Sequence, residues 1–480
     1  MNESKTGLRA IAAGALTMSS VNILRLLVQF VSLPILARLL SPEDYGLAAM
    51  AMPLILFVMM IADGGLGNSL IRTDKTEGHE WDTCFWVSCV LGSILTLATA
   101  SVSPFAASIL GQPRLMPIVA TLSVIVLAQT IQLIPAAALQ KASRFGTTAA
   151  IEISALLLGI STAVVLAVMK MGVWALVWQQ IVFYGVRLTL ILIFSSYRPR
   201  LIFKLKDTWE HVVFGWHILG SNIVTFTSRS MENLVIGKYI GPAPLGIYAM
   251  ASQFARLPFM LVTGPLQHVL YPQIVMLRQD RKKMKELFLL ITRMLAIVIT
   301  PSVVLVAAAS KPIFHFLLSS KWADAAPIFM LIAPAAALQS VAALQSTFLM
   351  ALGRTDVQMR LAIKMAVFWL AGLAVSVSHG IAAVAGAYTV FSLVFVMWSL
   401  YVCLPLIGCS FADYVCALVW PVVLSLAGIL GYVVAGKGME GSNPANMAIA
   451  AALALAAIAA AAFIQKDELK AALFFSPRKQ

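Results

Sequence analysis

Charge is what this chain has least of. Only 11% of its 480 residues are Asp, Glu, Lys or Arg, against roughly 25% in soluble globular proteins. With 60% hydrophobic residues and a mean hydropathy of +0.91, that scarcity excludes water as the main solvent of the surface. Cysteine is also sparse. Cys84, Cys89, Cys403, Cys409 and Cys416 form no CxxC pair and mostly fall in apolar runs, where a free thiol packs as a small hydrophobe. The six histidines show no HExxH-type spacing, so neither disulfides, a metal nor a cofactor is expected. Short alternating segments of the membrane-barrel kind are missing, which leaves helices as the way to satisfy the backbone in lipid. A cleavable leader is not expected either. The first apolar run, Ile11 to Leu36, is too long for a signal-peptide core, carries Arg25 and Pro34, and lacks a small-x-small site.

What the chain does have is a succession of apolar runs, each near the 20 or so residues that carry a helix across about 30 Å of hydrocarbon. They predict an all-α integral membrane protein with about fourteen spans: 12–36, 46–66, 83–105, 116–138, 148–169, 173–195, 213–236, 245–267, 288–309, 324–350, 357–378, 381–406, 413–435 and 446–465. Both termini then lie on one side. The cationic clusters Arg198 to Lys206, Arg278 to Lys285 and Lys466 to Lys479 fall on that same side, so the positive-inside bias makes both termini cytoplasmic. Orientation and anionic headgroups account for the +14 net charge without nucleic acid.

The segment Arg38-Leu-Leu-Ser-Pro42-Glu-Asp-Tyr-Gly46-Leu-Ala-Ala49-Met50-Ala51 recurs 200 positions later as Lys238-Tyr-Ile-Gly-Pro242-Ala-Pro-Leu-Gly246-Ile-Tyr-Ala249-Met250-Ala251. Each copy joins an outward-running helix to an inward-running one, so the repeat is parallel. A second echo at an offset of 210 matches Gln129 and Arg144 with Gln339 and Arg354. The expected organisation is two six-helix lobes, 1–205 and 206–406, around a central cavity, with two further helices and a cytoplasmic tail in 407–480. The Ala-rich last run, Met447 to Ala462, suits either close helix packing or simple contact with lipid.

On the seventh span Ser221, Asn222, Thr225, Ser228, Arg229 and Glu232 recur at three- and four-residue steps, which places them on one helix face. Subtracting 200 gives Asn22, Arg25, Gln29 and Ser32 on the first span. The eighth span adds Gln253 and Arg256, and the fourth and tenth add Gln129, Gln132, Gln339 and Gln345. A charge at mid-bilayer costs about 2.5–3.5 kcal/mol on insertion scales and so belongs in a bundle interior or a wet cavity. Arg25, Arg229 and Arg256 are therefore the expected substrate-binding cations, with Asn22, Gln29, Asn222, Thr225, Ser228, Glu232, Gln253, Gln129 and Gln339 as polar lining. Arg229 also stands three residues before Glu232, a spacing that fits a local ion pair. Arg187, Arg293, Lys364 and Glu152 lie nearer predicted helix ends, where long charged chains snorkel to headgroups. Deep cations in excess of deep anions point to a phosphate or pyrophosphate ligand, because the guanidinium fork matches its oxygens. Trp178, Trp216 and Tyr184 suit either contact with sugar rings or, as is commoner for scattered aromatics, packing and interfacial anchoring.

The stretch from Arg229-Ser-Met-Glu-Asn-Leu-Val-Ile-Gly-Lys-Tyr-Ile-Gly241 through Leu245-Gly-Ile-Tyr-Ala249 to Leu257-Pro258, with Leu40-Ser-Pro-Glu-Asp-Tyr-Gly46 and Asp63-Gly-Gly-Leu-Gly67, resembles the polysaccharide transporter (Wzx-type) branch of the MOP flippase superfamily. The resemblance implies two lobes in a V around a central cavity and alternating access driven by an ion gradient or the membrane potential. It further implies movement of undecaprenyl-pyrophosphate-linked repeat units to the periplasmic leaflet of a bacterial inner membrane, beside the polymerase and export machinery of an exopolysaccharide, capsule or O-antigen pathway. One departure is that the family often carries an acid where Ser230 or Met231 stands, whereas here the acid is Glu232. Two other functions remain open. A cation-coupled antiporter of the same superfamily would use deep first-lobe carboxylates, for which Asp63 and Glu152 are available. A glycan polymerase would need convergent acids in an external loop, and Ser310 to Ala323 contains none.

Overall fold

The computed structural model describes residues 24–63, 70, 79–202 and 230–436, with 449, 452–453 and 455–460 in the last apolar run. All regular structure among the described residues is helical, and eleven helices there are long and apolar enough to cross a membrane. Their bounds lie within four residues of the expected spans except where the span expected at 288–309 starts seven residues earlier, at Arg281. Parts of the first, second, seventh and fourteenth expected spans lie outside the described residues. Large apolar side chains point outward along these helices: Leu97 is 68% exposed, Phe105 66%, Val375 70% and Leu430 67%. Such a surface is stable against lipid and not against water.

The chain divides into two compact units, Met1–Gly246 and Ile247–Gln480. The first holds α1 (24–39), α2 (Pro42–Asp63), α3 (His79–Ile109), α4 (Leu115–Lys141), α5 (Phe145–Val168), α6 (Val173–Phe194) and α7 (230–239). The bend between α1 and α2 is written in Ser41-Pro42-Glu43-Asp44. Pro42 opens α2, where its missing N–H costs nothing. Asp44 Oδ2 accepts from Ser41 N at 2.9 Å while Ser41 Oγ accepts from Asp44 N at 3.2 Å, a reciprocal cap that satisfies two donors. At the other end of this unit Trp81, Phe85, Ile134, Ala137 and Tyr197 form a buried cluster. Within it Asp82, only 4% exposed, accepts from Tyr197 Oη at 2.8 Å and from Arg200 N at 3.1 Å. Burial, and then the bond to Asp82, raise the Tyr197 phenol well above the ordinary tyrosine range, so it stays a donor. Tyr197→Phe leaves a buried carboxylate one donor short and is expected to cost about 1–3 kcal/mol, measurable as a lower Tm of the detergent-purified protein.

The helix α8 (242–276) carries the chain into the second unit, where α9 (Arg281–Ala308), α10 (Ser310–Leu318), α11 (Ala325–Ala351), α12 (Thr355–Ser376), α13 (Ile381–Ile407) and α14 (Phe411–Gly436) follow. Asp280 caps α9 through Lys283 N at 3.1 Å, and that bond holds its carboxyl below the usual range. Ser410 and Asp413 form another reciprocal cap at the start of α14. Lys285 reaches Asp413 at 2.6 Å and ties α9 to α14. The connection 310–323 is folded: Phe314, Leu318 and Trp322 are each at most 1% exposed.

The repeat is present in the backbone itself. After α4, Ser143 has φ 54° and Arg144 N donates to Leu139 O at 3.1 Å; after α11, Gly353 has φ 73° and Arg354 N donates to Leu349 O at 2.9 Å. The same left-handed turn thus closes the helix at both copies of the 210-residue echo. The 200-residue echo goes further, because its two copies touch. A Cβ built on Gly46 would lie 1.7 Å from Pro242 O, and one built on Gly246 would lie 1.8 Å from Pro42 O. Each copy's glycine admits the other copy's proline carbonyl, the reciprocity expected of a two-fold contact.

Candidate functional site

The first unit carries a polar network deep in its helices. Arg187 Nε on α6 meets Glu152 Oε1 on α5 at 2.6 Å, each side chain 20% exposed. Arg187 Nη1 donates to Gln129 Oε1 on α4 at 3.3 Å, and the same oxygen accepts from Gln132 Nε2 at 2.6 Å. Gln132 is 1% exposed and its Oε1 is buried without a hydrogen-bond partner. Tyr184, one turn before Arg187 and edge-on to Phe183, lies within electrostatic reach of Arg187, Arg25 and Glu152. Two guanidinium groups therefore share this region with one carboxylate, and the amides orient the inner guanidinium.

Of the expected site residues, the structure brings Arg25 and Gln129 to this network. Arg25 is exposed on α1 and Gln29, one turn on, is half-buried; Ser32 Oγ donates to Gln29 O at 2.8 Å. Glu232 is half-buried on α7. Gln253, Arg256 and Gln339 belong to the second unit. Gln253 and Arg256 are exposed on α8, where Arg256 precedes Pro258 and a π-helical turn, Phe259–Thr263. Such turns recur at functional sites. Asn22, Asn222, Thr225, Ser228 and Arg229 lie outside the described residues, as does Trp216.

Arg187 and Glu152 correct the sequence reading, which sent both to the headgroups. Glu152 stands two turns inside α5, and Arg187 two turns from the end of α6, about 10 Å in each case. Instead of snorkelling they pair with each other. The signal was present: α5 and α6 form a helical hairpin, Glu152 lies 16 residues before the end of α5 (168 − 152) and Arg187 lies 14 after the start of α6 (187 − 173). Antiparallel neighbours place those positions at matching depth. Lys364, another of the four, sits over the Trp398 ring at 5.6 Å.

The second unit repeats the arrangement without charge. Gln339 Nε2 on α11 donates to Ser392 Oγ on α13 at 2.7 Å and its oxygen accepts from Tyr388 Oη at 3.1 Å. Ser399 donates to Gln345 one turn pair further along. Trp369 stands edge-on to Tyr388 at 5.4 Å. Gln129 and Gln339, equivalent in the repeat, thus each tie the fourth helix of their half to its sixth, one through an arginine and the other through hydroxyls. The first unit also holds an apolar groove of about 430 Å³ between α2, α3, α4 and α7, lined by residues such as Phe57, Val102, Val119, Met231 and Leu234.

An apolar helical body with a polar network inside it defines a polytopic membrane protein, and solved structures share the fold. The lipid II flippase MurJ, in an inward closed conformation, superposes with a TM-score of 0.72 at 15% identity over 95% of this chain and 99% of that one. An inward-facing multidrug resistance MATE family transporter of the MOP superfamily gives 0.61 at 13% over 82% and 99%. The chain belongs to the family described as polysaccharide biosynthesis protein, whose profile matches residues 35–327, more than half of its length. Among relatives, the succinoglycan biosynthesis transport protein ExoT of Rhizobium meliloti (strain 1021) is 28% identical over 306 residues, 64% of this chain and 62% of that protein, so the match spans under two thirds of ExoT. The lipopolysaccharide biosynthesis protein WzxC of Escherichia coli (strain K12) is 25% identical over 406 residues, 82% of this chain and 81% of that one.

Proposed function

We propose that this protein is a flippase that moves undecaprenyl-pyrophosphate-linked oligosaccharide repeat units from the cytoplasmic to the periplasmic leaflet of a bacterial inner membrane, for exopolysaccharide, capsule or O-antigen assembly. It is a transport protein and not an enzyme. The observation that carries the reading is the net cationic, amide-rich network of Arg25, Arg187, Glu152, Gln129 and Gln132 inside a member of a polysaccharide biosynthesis family. A pyrophosphate headgroup finds guanidinium donors there, and sugar hydroxyls find amides. Arg229 and Arg256 extend the same chemistry from the second copy of the repeat and from α8. An ion gradient or the membrane potential supplies the driving force, both termini stay in the cytoplasm, and a polymerase with its export partners consumes the flipped product. The antiporter reading gains Glu152 as an interior acid, but its guanidinium partner suits an anionic cargo better than a cation site.

Deleting the gene tests the reading. The expected result is loss of one surface glycan together with accumulation of its lipid-linked repeat unit inside the cell, restored by the wild-type gene. Unchanged surface glycan together with altered efflux of cationic dyes would favour the antiporter.

A further inference from the structure

We propose that Arg187 is an anion site for the phosphate end of the cargo, kept occupied by Glu152 until that phosphate displaces it. The proposal rests on the flippase reading and adds the residue pair at which the headgroup is exchanged. Carboxylate and phosphate oxygens compete for the same guanidinium donors. In the structure Glu152 takes Nε at 2.6 Å, while Nη1 makes only a long 3.3 Å bond to Gln129. The guanidinium is therefore held at one edge and incompletely used at the other. Both side chains keep 20% exposure, so the pair is not sealed within the helix packing. Gln132 Oε1, buried and without a donor, supplies an acceptor for a hydroxyl next to the guanidinium. The groups facing the pair are Gln129 and Gln132 from α4, Tyr184 from α6 and, through Tyr184, Arg25 from α1. With two cations against one carboxylate, an arriving phosphate has an attractive partner even before Glu152 leaves.

An ion pair that only braced α5 against α6 would behave in the opposite way to a competitor when neutralised. Bracing predicts that Glu152→Gln destabilises the protein and leaves anion affinity alone. Competition predicts that Glu152→Gln strengthens anion binding, because the resident carboxylate no longer has to be displaced. The test uses the full-length protein in lipid nanodiscs, with inorganic pyrophosphate as the probe in titration calorimetry at fixed ionic strength. Glu152→Gln is expected to bind about tenfold tighter than wild type and Arg187→Gln about tenfold weaker, the scale of one charge-assisted hydrogen bond. The double variant is expected to match Arg187→Gln, since the carboxylate acts only through the arginine. Glu152→Asp, one methylene shorter, provides a second variant should Glu152→Gln fail to fold, and it too is expected to bind more tightly. Unchanged pyrophosphate affinity in folded Glu152→Gln or Glu152→Asp and in Arg187→Gln overturns the proposal even if glycan export depends on the gene. The expected affinity pattern in a strain whose export is indifferent to the gene leaves the anion site standing and removes the flippase reading.

Discussion

Among the described glycines, replacing Gly46 or Gly246 by alanine is expected to cause the largest loss of folded protein. The added Cβ meets a backbone carbonyl at 1.7 Å or 1.8 Å, and a carbonyl fixed by a proline at a helix start cannot swing aside as a side-chain end does. Relief requires the two helix starts to separate. Overpacking costs about 1–3 kcal/mol where neighbours relax and more where they cannot, so the membrane level of each variant should fall severalfold on immunoblots and its Tm in detergent should drop. The double variant is expected to do less harm than the sum, because separating the helices for one methyl also makes room for the other. Gly146→Ala is the control: nothing stands within 4 Å of its added Cβ, and alanine is the better helix former by about 0.5–1 kcal/mol.

Reversing charge at Arg25 and Arg256 is the second large effect. On the proposed flippase function, the double variant Arg25→Glu, Arg256→Glu sets anions against an anionic cargo. Export is expected to stop while lipid-linked repeat units accumulate. Lysine at the same positions keeps the charge but loses the bidentate fork, and partial export is expected. Surface glycan and intracellular lipid-linked intermediate are measured together, normalised to the amount of each variant in the membrane. Normal export from a well-expressed double variant removes these two residues from the cargo path.

The membrane architecture was legible because lipid imposes one strong rule, that a spanning segment must be apolar and helical for about 20 residues. The helix starts at Pro42, Arg281 and Phe411 lie two to seven residues before the expected span starts at 46, 288 and 413, because apolar runs do not register the polar first turns that Ser41-Pro42, Asp280 and Ser410 cap. The repeat was legible as identity between the segments at Pro42 and Pro242. Its physical reason was not, since a glycine in a sequence does not say which carbonyl it admits. Gln129 was singled out by its place on the fourth span, and the structure shows it accepting from Arg187 and Gln132. Arg187 and Glu152 were misplaced because each was weighed alone against the nearest helix end, whereas their stability comes from a partner on the neighbouring helix at equal depth. Hairpin arithmetic between adjacent spans recovers that kind of pair, and periodicity within one span does not.

The central claim is that the protein carries a lipid-linked glycan across the bilayer, and reconstitution tests it most directly. Proteoliposomes containing the purified chain and an undecaprenyl-pyrophosphate-linked oligosaccharide are exposed to a membrane-impermeant glycosidase, so that only outer-leaflet glycan is cut. The account predicts that cleavage proceeds beyond the outer-leaflet fraction when the wild-type protein and an ion gradient or membrane potential are present. It also predicts that cleavage stops at that fraction with Arg25→Glu, Arg256→Glu. Cleavage confined to the outer leaflet with active, correctly inserted wild-type protein under every gradient would contradict it.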